Sequence, residues 1–325
     1  MTSYSARGYR LVFSAAAAYN ITFGLWCAIF PLAFFRLFDL PPPRYPAIWA
    51  CLGMVVGLYG VAYAYAAWRL DRAFPLIAIG LAGKILGPVG WILTVRNGEL
   101  PFRTFALIVF DDLIWWLPFA LFLVEGTAVK RFFAKTAPAW CAGLHIVGGL
   151  GTLFFLRGAS EAVSDLSMRV RWLDAHPWQW RTGWLFWMAA ALALAGFYAW
   201  WGARTRAGDS VVAIAIASLG LAADFAGESI FIGFVPAPGS PLHRTASLLT
   251  GGLGNALYTV AGVYLTLITP GMSRLLRGWA WLVWISGFAL TAATVMDLPS
   301  GVVVSSAALM LLFIPWVAVA GVRLR

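Results

Sequence analysis

Apolar residues in this chain come in long blocks, not in alternation. Ten blocks stand out, at approximately 10–31, 46–68, 74–95, 102–124, 138–157, 182–202, 210–234, 243–269, 277–296 and 301–322. Each is close to the ~20 residues that a helix needs to cross a bilayer. The pattern predicts an all-α polytopic membrane protein of about ten transmembrane helices. The polar stretch 126–137 with its neighbour Glu125, holding Lys130, Arg131 and Lys135, reads as an inner junction. It separates a four-helix transmembrane unit over 1–125 from a six-helix unit over 138–325. No internal repeat is visible.

The longest connection, 158–181, carries a different period. Val163, Leu166, Val170 and Leu173 recur at helical spacing, with Glu161, Asp165 and Arg169 on other faces. This predicts an amphipathic interfacial helix on the outer surface, with Asp165 and Arg169 as an i, i+4 ion pair. Trp172, Trp178, Trp180, Trp184 and Trp187 follow as an aromatic belt would.

Composition removes the soluble alternatives. Of 325 residues 62% are hydrophobic and 11% charged, against about 25% charged in a soluble domain. The net charge of +10 is spread in twos and threes between the blocks, which argues against nucleic acid as a partner and for topology determinants. With the N-terminus inside, the inner segments hold thirteen basic residues, Arg206 and Arg325 among them, and the outer segments nine. The balance predicts a multi-pass protein of the cell (inner) membrane with both termini cytoplasmic. Arg7 and Arg10 precede a run too long for the core of a cleavable signal, so that run reads as an anchor. The three cysteines, Cys27, Cys51 and Cys141, lie inside apolar blocks without metal-ligand spacing.

Candidate chemistry comes from polar residues at membrane depth, which are rare and costly there, ~2.5–3.5 kcal/mol or more for a lone charge. In the first unit Lys84, Asp111, Asp112 and Asn20 fall at similar, central heights and form a candidate buried polar centre. Neighbours on a helix point ~100° apart, so one aspartate is expected to meet Lys84 and the other to face elsewhere. Pro88 cannot donate to the carbonyl of Lys84, which then needs another partner. Gly80, Gly83, Gly87 and Gly90 allow close approach.

In the second unit Asp224 and Glu228 share one helix face at i, i+4 spacing, and two carboxyls this close behave as a coupled pair. Asn255 lies at the height of Asp224. His243 and Arg244 stand near the outer end, where they are expected to approach Glu228. Together these residues outline a proton-coupling or substrate path. His145 reads as a hydrogen-bonded interior histidine. Gly148-Gly149-Leu150-Gly151 and Gly251-Gly252-Leu253-Gly254 read as packing surfaces. No metal site is expected. No cofactor is expected either: in the tryptophan-rich stretch only His176 stands where haem-handling loops carry framing histidines.

Three functions fit. The first is a small secondary transporter that couples to protons through the carboxylate pair. The second is a membrane enzyme acting on a lipid-soluble substrate such as an isoprenoid, sterol or quinone. The third is a structural subunit of a larger membrane complex. The partners expected are the lipid bilayer, a small or lipid-soluble ligand, and membrane-complex partners of unspecified kind.

Overall fold

The computed structural model describes residues 3–205 and 210–324. Arg206 and Arg325, counted among the inner charges, lie outside the described residues. Among the described residues the chain is all-α and has ten helices long and apolar enough to cross a membrane. It divides into two compact units, Met1–Arg131 and Phe132–Arg325.

The first unit contains α1 (Ser3–Ile29), short α2 (Ala33–Leu37), α3 (Pro46–Trp68), α4 (Phe74–Arg96), α5 (Phe105–Ile108) and α6 (Ile114–Leu123). A π-helical turn at Val109–Leu113 joins α5 to α6, making one span of Phe102–Leu123. α1 and α3 meet backbone to backbone. A Cβ added to Gly24 would lie 2.5 Å from the Gly53 carbonyl and 2.6 Å from the Gly57 amide nitrogen, and one on Gly60 would lie 2.8 Å from the Ile21 amide. Small residues let two spans approach this closely, and dispersion then holds them where lipid supplies no hydrophobic drive. Phe13, Tyr63, Ile77, Trp115 and Phe119 fill the centre of the unit. At its terminal end Tyr9 donates to Glu125 at 2.8 Å and accepts from Lys130 at 2.9 Å, while Lys130 also pairs with Glu125.

The second unit is built from α7 (Ala128–Gly151), whose first four residues fall in the first unit, α8 (Leu166–Ala175), α9 (Pro177–Gly202), α10 (Ser210–Phe234), α11 (Pro241–Ser247), α12 (Asn255–Ile268), α13 (Arg274–Val295) and α14 (Pro299–Arg323). π-helical turns at Thr152–Leu156 and Leu248–Gly254 extend α7 and join α11 to α12. Proline opens α9, α11 and α14, where its missing N–H removes no helical bond. α7 begins inside the stretch expected as a junction, so that its basic residues ride on helical turns rather than on a loop.

α8 is the short helix expected between spans five and six, with Leu173 buried and Leu166 and Met168 exposed. Its ion pairing differs from expectation. Asp165 caps the helix, accepting from the Ser167 and Met168 amides at 2.8 and 3.2 Å. Those bonds hold its carboxyl below the usual range, the Ser167 hydroxyl contributing most. Arg169 turns the other way, to Glu161 at 3.0 Å and the Ala159 carbonyl at 2.8 Å. A free N-terminal amide is a better partner for Asp165 than an arginine one turn on.

The five tryptophans of the expected aromatic belt differ in surroundings. Trp178 is exposed, Trp180 is buried, and Trp184 stacks on Phe231 at 4.2 Å. Trp187 donates to Thr152 and Trp172 stacks on His176. Trp172, Trp184 and Trp187 are half-buried.

Candidate functional site

Two polar centres lie inside the spans, one in each unit. In the first, Lys84 of α4 is buried, and its ammonium lies 3.4 Å from Asp111 and 3.9 Å from Asp112. Both aspartates therefore reach the one lysine, against the expectation that only one would. Both aspartates lie in the π-helical turn at Val109–Leu113, whose i→i+5 bonds widen the turn and slightly narrow the angle between neighbouring side chains. Gly87 makes room for this. A Cβ there would meet the Asp112 carboxyl, with its carbon 3.0 Å away. Gly80 packs on the Tyr63 ring, while Gly83 and Gly90 have nothing within 4 Å.

The carbonyl freed by Pro88 is met. The Trp116 indole donates to Lys84 O at 2.8 Å, so the backbone break is closed from the neighbouring span. A second indole, Trp115, donates to Phe110 O inside the π turn at 3.0 Å. Tyr19 and Tyr63 lie within electrostatic reach of both aspartates. Asn20 is 2% exposed, and its Oδ1 has no hydrogen-bond partner.

In the second unit Asp224 and Glu228 lie one turn apart on the buried side of α10. Asp224 accepts from Tyr258 of α12 at 3.2 Å, and the Tyr258 carbonyl accepts from Tyr198 of α9 at 2.9 Å. Glu228 is 1% exposed, and its Oε2 has no hydrogen-bond partner. Among the described residues neither carboxyl takes part in an ion pair. Of the glycines expected to pack, Gly254 does so here, where a Cβ would lie 3.1 Å from the Asp224 Cβ, whereas Gly149 has nothing within 4 Å. Gly227, not singled out in the sequence, packs more closely, its added Cβ 2.7 Å from the Ala246 carbonyl.

The expected companions of this pair point elsewhere. Asn255 donates to Gly287 O at 2.6 Å and Thr291 at 2.9 Å, binding α12 to α13. Arg244 donates to the Thr294 and Val295 carbonyls at the end of α13 and pairs with Asp297 at 3.4 Å. The ring of His243 packs against Phe231 and Trp180, with centroids 5.2 and 6.4 Å away. Of the residues outlined in the sequence, Asp224 and Glu228 remain together on α10, and Tyr258 joins them through its bond to Asp224. Tyr258 was not singled out in the sequence, although it lies one turn from Asn255 and near the height of Asp224.

His145 holds Nδ1 2.8 Å from the Cys141 carbonyl, and its ring lies 5.0 Å from Phe313. A carbonyl only accepts, so Nδ1 carries the hydrogen. Cys27, Cys51 and Cys141 are free. Among the described residues no three His, Cys, Asp or Glu side chains converge as a metal site. The chain matches no protein-family model, no curated protein and no solved structure.

Proposed function

We propose that this integral membrane protein is a small secondary transporter in which Glu228, with Asp224 one turn away, takes up and gives back the coupling proton. The observation that supports this reading is the unpartnered Glu228 oxygen at 1% exposure. An ionised carboxylate with neither donor nor cation is far costlier there than the neutral acid. The enclosed geometry therefore suits the proton-loaded state, and release of the proton demands that the surroundings rearrange. That coupling between proton and conformation is what a carrier needs. Tyr258, bonded to Asp224, links the pair to α12. The charge balance of the connections supports placing both termini on the cytoplasmic side of the cell membrane.

A second reading, a subunit of a larger membrane complex with the acids fixing helix contacts, is favoured by the close packing at Gly227 and Gly254. Infrared difference spectroscopy on protein in lipid separates the two. The carrier requires a carboxylic-acid carbonyl band that changes reversibly with pH while the fold is intact. That band should be absent in Glu228→Gln. Asp224→Asn with Glu228→Gln should abolish activity in cells without lowering expression. A wild-type band that stays constant over the whole pH range of the folded protein sinks the carrier reading and leaves a structural acid.

A further inference from the structure

A shallow groove on the lipid-facing surface of the second unit runs between the start of α13 and α14. Arg274, Leu275, Gly278, Trp279, Leu282 and Leu312 line it. We propose that it holds one anionic glycerophospholipid, with the phosphate at Arg274 and an acyl chain along Gly278 and Leu282.

The groove starts where α13 starts, at the membrane surface. From Arg274 to Leu282 it descends eight residues, about 12 Å at the helical rise. Its lower part is apolar, and its floor is open: a Cβ on Gly278 would meet nothing within 4 Å. Leu275 at the mouth is 84% exposed and offers apolar surface to an acyl chain. Trp279 forms a wall held in place by its indole bond to Leu312 O at 3.1 Å.

The mouth is positive in two ways. Arg274 is exposed at its edge. The start of the 22-residue α13 adds the Arg274 and Leu275 amides, while those of Leu276 and Arg277 are taken by Ser273. Arginine and a helix start suit a phosphate diester. A zwitterionic headgroup brings its own cation and gains less.

A second groove in the same unit supplies the control. It follows α7 past Phe132, Thr136, Trp140 and Gly143, and no charged residue lines it. It offers an acyl chain the same kind of surface without the anion contact.

The test is native mass spectrometry of the full chain released from detergent, with phosphatidylglycerol or phosphatidylcholine of identical acyl chains. Wild type should retain one more phosphatidylglycerol than phosphatidylcholine. Arg274→Gln should weaken that retention about tenfold, the loss of one charge-assisted hydrogen bond. Gly278→Leu, which has space for its side chain, should fill the groove and remove retention while the protein melts as wild type. Gly143→Leu should leave the preference intact. Equal retention of the two lipids overturns the proposal, as does survival of the preference in either Arg274→Gln or Gly278→Leu. Inorganic phosphate alone raising the melting temperature as much as phosphatidylglycerol does would also overturn it, since no acyl chain would then be involved.

Discussion

The bond between Trp116 and Lys84 O can be tested without touching a charge. Pro88 removes the amide hydrogen that Lys84 O would otherwise accept, and the Trp116 indole replaces it at 2.8 Å. Trp116→Phe keeps the ring and deletes the donor. A buried carbonyl left without a partner costs ~1–3 kcal/mol in soluble proteins. Side-chain bonds between spans measure lower, ~0.6 kcal/mol on average and ~1.7 at most. The good geometry here places the expected loss near ~1 kcal/mol, about fivefold in the unfolding constant. Pro88→Ala restores the helical amide to that carbonyl. In that background the indole is redundant, and Trp116→Phe should lose only its packing contribution. The double-mutant cycle, measured by equilibrium unfolding in mixed micelles, should therefore show a coupling of ~1 kcal/mol. Additivity of the two substitutions within ~0.3 kcal/mol would mean that the freed carbonyl is satisfied in some other way, and the account of the break would be wrong.

Further outcomes follow from the same geometry. Gly87→Ala forces a methyl group onto the Asp112 carboxyl and should cost ~1–3 kcal/mol by overpacking. Gly83→Ala, four residues earlier with open space, should be neutral or slightly stabilising in the same melt. Asp165→Ala should speed amide exchange over residues 166–169 at neutral pH and leave the spans unchanged. The lowered value of Asp165 means that its cap is present above the usual carboxylate range and is lost only as pH falls through the lowered value. Local protection of α8 that rises on acidification would contradict that sign.

The outer arginines show how structure accounts for a weak topology signal. Nine basic residues on the expected outer side oppose the positive-inside trend. Arg103 donates to the Phe38 and Asp39 carbonyls after α2, Arg181 to Ile232 O near the end of α10, and Arg244 to the end of α13. Each meets carbonyls at a helix C-terminus, where cations are favoured. Three of the nine outer basic residues thus have a role in holding helix ends.

What the sequence determined by itself was the class and count of elements. Hydrocarbon leaves an isolated span no way but helix to satisfy its backbone, so twenty-odd apolar residues in a row suffice to predict one. The expected heights of Lys84, Asp111, Asp112, Asp224 and Glu228 rest on the same rise per residue. The need of Lys84 O for a partner was legible because a proline acts four residues back in its own helix. The partner, Trp116, was not, since it comes from another span. The bearing of each side chain around its helix axis was settled by tertiary structure alone. Asp111 and Asp112, in one π turn, both reach a single lysine, and another π turn precedes Asn255, which bonds to α13 rather than joining Asp224. A π turn adds one residue to a helical turn without changing composition or hydropathy, and so periodicity cannot reveal it. Depth is a property of local chain length, whereas direction depends on which neighbouring helix supplies a donor or yields space.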